Sequence, residues 1–485
     1  MNLLSFVKVF FSILILLLFP FGLLNYEGNV LYYIVFTILS SYTLLTTFDK
    51  KSISFDTFFS LLFWLGFWFK FTVQISLLNS QFPEGVGMFN FSAYSYDQII
   101  IISSVSLIAF LFYRFLRVRF IFNYANYNSQ NFDFNRLLNF YEKFRFKILI
   151  IYILTIIIVP SLNYFFIFFQ KGTIPETVLP FGFNNIINWL LMFGIASFSS
   201  LFIFLEFHLK KKNSNKVIKL SIIENFFSSI SILSRAMIFN STAILYGFYR
   251  MLESEKVKIS ASKFFKYFFI IIFFFSVSLI VVSKIRQSKN FPIGHEVHNY
   301  IPNIGIDSKK NNNVYKINND FSKEFNQIIF LISGRWVGIE GVMSVYGNED
   351  INMDSFWLSF NDKFDYSNSF YENIVKKSNH IYKKEPKIFT VYVPGIVGYL
   401  YYTKSLTFLF FGIFSLCVIC SIFEFIAFKI SKGNFIFSYL IGNVLAYRLI
   451  HFGYLPQNTY KLIIAIIFTF ILLTVIFKLV ERIKL

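Results

Sequence analysis

Long apolar stretches separated by short polar breaks run through most of this chain, at a length that neither a soluble helix nor a strand requires. A membrane-crossing helix needs about 20 apolar residues. Stretches of that kind fall near 4–24, 30–48, 54–78, 97–117, 147–169, 185–208, 217–234, 237–251, 265–284, 405–428, 434–453 and 460–480. The seventh and eighth are short and meet at Ser234-Arg235-Ala236, which also fits a re-entrant hairpin. The pattern therefore predicts an all-α polytopic integral membrane protein of about 12 helices: nine in 1–284 and three in 405–485.

Between them, residues 285–404 form one hydrophilic insert. Inside it, Phe321, Phe325, Ile328, Ile332, Trp336, Ile339 and Met343 recur at steps of three and four, predicting an amphipathic helix near 319–345. Gly334, Gly338 and Gly341 allow close approach of a backbone or ligand. Each costs about 1 kcal/mol in a helix, so a break near Gly334 is the alternative. No internal repeat is visible.

Composition agrees with the pattern. The 485 residues are 56% hydrophobic and only 15% charged, with a mean hydropathy of +0.59, where soluble domains are about a quarter charged. The 71 Phe accompany raised Ile, Lys, Asn and Tyr, a genome-composition effect rather than an aromatic binding platform. The net charge of +19 does not call for nucleic acid, because much of the Lys and Arg sits in short connections where it sets orientation. Lys50-Lys51, the Arg114–Lys147 connection, Lys210–Lys212, the Arg250–Lys266 segment, Lys429, Lys432 and the Lys478–Lys484 tail all fall on one side. The opposite short loops, 25–29, 79–96, 170–184 and 454–459, hold a single basic residue, Lys171. Both termini are then expected in the cytoplasm and the insert in the periplasm or cell exterior. The first 24 residues lack a small-x-small cleavage site and read as a retained span. Cys417 and Cys420 lie three apart in an apolar helix, a packing arrangement.

Candidate chemistry is concentrated at the outer edge. Arg335 shares the apolar face of the insert's helical pattern. A guanidinium turned that way needs an anion, whether a protein carboxylate such as Glu340, a lipid headgroup or a substrate diphosphate. Arg235 stands between the two short segments, with Glu224 eleven residues earlier, on the same face if the helix is continuous. Arg286 follows the ninth span, while Arg448 and His451 share a face near the end of the eleventh. For all three, headgroup anchoring competes with substrate contact. His295 and His298 are spaced for one helix face, but no third metal ligand is patterned nearby, so a general base or a solvated loop fits better than zinc. No phosphate-binding loop, dinucleotide turn, Cys/His cluster or Gly-x-Ser-x-Gly elbow occurs.

The run Gly334-Arg335-Trp336-Val337-Gly338-Ile339-Glu340-Gly341 is similar to a Gly-Arg-x-x-Gly-hydrophobic-Glu run in the outer loop of bacterial O-antigen polymerases, the oligosaccharide repeat-unit polymerases. Val393–Tyr402, leading into the tenth span, adds to the resemblance. The topology covers nearly the whole chain and the motif about thirty residues. The resemblance implies metal-independent glycosyl transfer between two undecaprenyl-diphosphate-linked glycans at the outer face of the bacterial inner membrane, with no cofactor. It also implies a flippase and a chain-length regulator as partners besides the lipid bilayer. On matching positions it assigns Arg335 to catalysis, with Glu340 or His298 acting on the acceptor hydroxyl. Arg235, Arg286, His295, Arg448 and His451 are then contacts to diphosphate or glycan. The related O-antigen ligases carry a His-Asn pair before the helix that follows the loop; here His298-Asn299 stands early in the insert instead. A lipid-linked oligosaccharide flippase is the alternative from another class.

Overall fold

The computed structural model describes residues 3–78, 80, 82, 86–122, 134–171, 175–210, 215–257, 261–288, 329, 333–334, 336–362 and 393–482. His295, His298, Arg335 and the side chain of Arg235 lie outside the described residues, as do 319–328 of the expected amphipathic helix.

Every apolar stretch read from the sequence is helical. Among the described residues, nine helices precede the insert: α1 (Leu3–Asn25), α2 (Val30–Thr46), α3 (Ser54–Leu77), α4 (Ala93–Ile121), α5 (Asn135–Phe166), α6 (Pro180–Leu209), α7 (Asn215–Ser231), α8 (Ile238–Ser254) and α9 (Ala261–Ser288). The insert contributes α10 (Ile339–Gly347), α11 (Met353–Asn361) and α12 (Gly395–Leu400), and the chain ends with α13 (Leu406–Ile430), α14 (Phe435–Ile450) and α15 (Gln457–Arg482). Among the described residues, eight helices are long and apolar enough to cross a membrane, and α2 and α14 are shorter apolar helices. The protein is an α-helical membrane protein.

Helices dominate because a backbone in lipid has no water to satisfy it. Their free first N–H groups are capped from within: Asn29 accepts from Leu31, Ser92 from Ser95, Ser405 from Phe408, and Asn434 from Ile436 and Phe437. α3 has no such residue of its own. Its first N–H groups, on Ser54 and Phe55, instead donate to the two carboxylate oxygens of Glu424 on α13, at 2.9 and 2.7 Å.

Burial ranks the helices. The α3 window is 83% buried and that of α1 only 6%, so α3 is central and α1 faces lipid. α14 is buried almost along its whole length, between α3 and α8. Contacts sort the helix ends into two sets. At one end Asp97 accepts from Tyr26 Oη and Asn29 N, Lys171 N donates to Ile232 O, and Gly395 N donates to Phe452 O. At the other end Lys8 pairs with Asp49, Arg250 donates to Lys50 O, Arg117 to Lys51 O, and Lys432 pairs with Glu481. The described stretch that opens at Gly395 belongs to the first set, and Lys50, Lys51, Arg117, Arg250 and Lys432 belong to the second.

Of the two readings of the insert's helical pattern, the break near Gly334 holds: among the described residues, 334 and 336–338 are not helical and a fresh helix starts at Ile339. The cause is tertiary. Gly338 packs directly on the backbone of Gly66, at the middle of α3, and a Cβ on Gly338 would fall on the Gly66 carbonyl. A Cβ on Gly341 would come within 2.5 Å of the Pro394 carbonyl oxygen. Part of the insert is therefore internal to the bundle, with Ile339, Glu340, Val342, Met343 and Val345 buried. Lys404 secures its far end by donating to the carbonyls of Val345, Tyr346 and Asn348 at 2.6, 3.2 and 3.0 Å. Glu224 and Arg235 also do not share one helix. α7 ends at Ser231, and Leu233 takes a left-handed conformation (φ 52°), which resets the helical phase.

Gly338→Ala should destabilise the protein by at least 1–3 kcal/mol, the usual cost of overpacking. Gly453, which has nothing within 4 Å of a built Cβ, is the matched control. Thermal unfolding in detergent checks this: a clear drop for Gly338→Ala and none for Gly453→Ala.

Candidate functional site

At the insert end, three segments bring basic side chains to one place. The α5–α6 loop supplies Lys171, the last turn of α9 supplies Arg286, and the end of α14 supplies Arg448 and His451. The α7–α8 turn supplies the carbonyl surface. Lys171 N donates to Ile232 O at 2.9 Å, and Arg286 Nη2 donates to Leu233 O at 2.8 Å and reaches Lys171 O at 3.5 Å. Arg286 thus holds two loops together while bringing its own charge to them.

Tyr447 is the floor of the group. Lys171 Nζ lies 5.6 Å from its ring centroid, a cation–π distance. The His451 imidazole stacks on the same ring, with centroids 4.0 Å apart and planes 16° apart, and its Nδ1 is 3.2 Å from Tyr447 O. Arg448 donates through Nε to Thr459 Oγ1 at 3.2 Å, while its Nη2 is buried without a hydrogen-bond partner. Among the described residues, no carboxylate pairs with Lys171 or Arg448. Buried donors are normally satisfied, so an orphaned guanidinium nitrogen among other cations marks a place for an anion.

The electrostatics point the same way. Burial, followed by the positive charges of Arg448 and then Arg286, pushes the Lys171 ammonium down to about 7. Like charges gathered away from water repel, and a polyanion between them would relieve that repulsion. Elsewhere carboxylates meet some of the arginines. Arg117 meets Asp56 at 2.6 Å with both side chains fully buried, and Arg145 grips Glu206 at 2.5 and 3.0 Å.

Glu340 is placed differently. It lies in the bundle core, ion-paired with Lys70 of α3 and accepting from Gln74 Nε2 at 3.0 Å. Lys70 also donates to Trp336 O at 2.8 Å. The pair fixes the turn that enters the bundle. An aromatic path then links this turn to the cluster: Trp336 to Phe239 at 6.2 Å, and Phe239 to Tyr447 at 6.3 Å. Among the described residues no group of three or more His, Cys, Asp or Glu could hold a metal ion.

Arg286, Arg448 and His451, named from sequence, are thus brought together, and Glu340 lies apart from them. Two further residues of this arrangement, Lys171 and Lys70, were not among the sequence candidates. Lys171 carried a signal, as the single basic residue of the insert-side short loops. Lys70 carried a weaker one, a cation in the interior of an apolar span.

Comparison with known proteins returns no matching family model, no matching curated protein and no matching solved structure.

The lowered Lys171 value fixes two pH effects. Between about pH 7 and the ordinary lysine range the unfolded chain binds the extra proton, so this group's contribution to stability rises with pH there. Anion binding runs the other way, falling as Lys171 loses its charge. Stabilisation by added inorganic pyrophosphate, read as a thermal shift, should be larger at pH 6 than at pH 8. In Lys171→Met that difference should vanish.

Proposed function

We propose that this protein is a glycosyltransferase joining undecaprenyl-diphosphate-linked oligosaccharide repeat units into O-antigen or a similar surface polysaccharide. In this reading it crosses the bacterial inner membrane twelve times, with both termini cytoplasmic and the insert periplasmic. The observation that carries the reading is the cluster of Lys171, Arg286 and Arg448, in which Lys171 and Arg448 lack a carboxylate partner among the described residues.

Glycosyl transfer from a lipid diphosphate needs no covalent help with its leaving group, only stabilisation of the charge that the diphosphate gains as the glycosidic C–O bond breaks. Preorganised cations do this well where water is scarce. The Lys171 ammonium and the orphaned Arg448 Nη2 would take the phosphate oxygens, with Arg286 adding field and holding the loops. Arg335, the residue immediately before Trp336 in the chain, is the further cation expected to meet the donor. The acceptor hydroxyl loses its proton to a base; Glu340 and His298 are the candidates that the family resemblance supplies. Paired with Lys70, Glu340 would serve first to hold the entering turn. Many helices suit a long polyprenyl tail, and a hydrophilic insert beside the cluster suits glycans. Lipid-linked glycans, a flippase and a chain-length regulator are the expected partners.

A glycan ladder from a deletion strain complemented with variants tests the reading. Arg335→Ala, Lys171→Met and Arg448→Met should each insert normally yet lower polymerisation about 10²–10³-fold, the usual loss when one transition-state donor is removed. Single repeat units would then remain on the surface glycolipid. Ladders of normal length in all three would sink the proposal. Lipid-linked polymer that never reaches lipid A core would indicate a ligase, and repeat units confined to the cytoplasmic leaflet a flippase.

A further inference from the structure

The opposite end of the bundle holds a second feature that glycosyl transfer does not use. Between α7 and α9 lies a cavity of about 660 Å³ open at the side, walled by Lys219 and Ile223 of α7 and by Lys266, Phe269, Phe273 and Phe274 of α9. That volume is within the range of small-molecule sites.

Its chemistry is graded along its length. Both lysines stand near the starts of their helices, which are tied together where Tyr267 Oη donates to Asn215 Oδ1 at 2.9 Å. From that end the walls are apolar, and Phe269 and Phe273 are 64% and 63% exposed. On α9 the lining residues follow one face, at steps of three and four. Lys266 to Phe274 is eight residues, about 12 Å of helix, and half of a bilayer core is about 15 Å. The cavity thus runs from headgroup level to near the depth of a single leaflet. α9 is peripheral, with 17% of its apolar window buried, so this face looks into lipid. Among the described residues neither Lys219 nor Lys266 pairs with a carboxylate. Lone lysines at a membrane edge commonly extend toward water. Two of them, from different helices, at the mouth of one apolar groove make a more specific arrangement.

We propose that the α7–α9 groove binds an anionic glycerophospholipid, one acyl chain lying along Ile223, Phe269 and Phe273 and the phosphate held by Lys219 and Lys266. The bound chain fills the space beside the Phe226–Phe274 contact, whose ring centroids are 4.9 Å apart, and so supports the docking of α9 on α7. The negative charge separates this ligand from a zwitterionic bulk lipid of equal chain length.

Native mass spectrometry of the purified full-length protein tests it, with phosphatidylglycerol and phosphatidylcholine of identical acyl chains offered together. The wild type should retain phosphatidylglycerol preferentially. Lys219→Ala with Lys266→Ala should weaken that preference about 30-fold, from about fivefold per lysine near a membrane surface. Lys219→Arg with Lys266→Arg should preserve it, which separates lost charge from misfolding. Ile223→Trp, which fills the groove, should reduce retention of both lipids. Equal retention of the two lipids by the wild type would overturn the proposal, as would an unchanged preference in the double alanine variant. Displacement of the lipid by millimolar inorganic phosphate would assign the lysines to a free anion and overturn it as well.

Discussion

A single ion pair, Lys70 with Glu340, decides how the insert relates to the helices. It joins the most buried long helix to the first turn of α10, with no water to screen either charge. Removing one member of such a pair leaves an uncompensated charge and typically costs 3–5 kcal/mol. Gln74 and the Trp336 carbonyl complete the network, while Gly338 lets the two backbones meet at Gly66. Without that anchor α10 would have no fixed depth. The aromatic path from Trp336 through Phe239 to Tyr447 would then lose its starting point.

The cation cluster follows from that frame. It is assembled from loop ends rather than from one motif, and each contributing segment is tied by a hydrogen bond to another. Lys171 is placed by the α7–α8 turn, Arg286 by two carbonyls and Arg448 by Thr459. Elsewhere the protein pairs the buried Arg117 with Asp56 and the partly exposed Arg145 with Glu206. Among the described residues no carboxylate pairs with Arg448, whose Nη2 is buried without a hydrogen-bond partner, and that contrast carries the functional proposal.

Much of the helical layout was legible in the sequence, because hydrophobic length is imposed by the bilayer and needs no knowledge of neighbours. Arg286, Arg448 and His451 were legible for the same reason: charge at the end of an apolar run is conspicuous. The break before Ile339 was not decidable, since the same glycines and the same periodicity fit a continuous helix until Gly66 is known to lie against Gly338. Nor was the role of Glu340 readable beside Arg335, because its partner Lys70 is 270 residues earlier in the numbering. Lys171 needed only its isolation to be noticed, but its significance depends on Arg448 and Arg286 arriving from two other helices.

The cap that Glu424 places on Ser54 and Phe55 has a consequence for biogenesis. Its carboxylate is synthesised about 370 residues after the N–H groups it satisfies. α14, which fills the space between α3 and α8, is made later still. The central helix therefore enters the bilayer with its first turn unsealed and remains so until the last three helices follow. Insertion and final packing are separate events for this chain, and an amino-terminal fragment ending before α13 has no means of closing its own core.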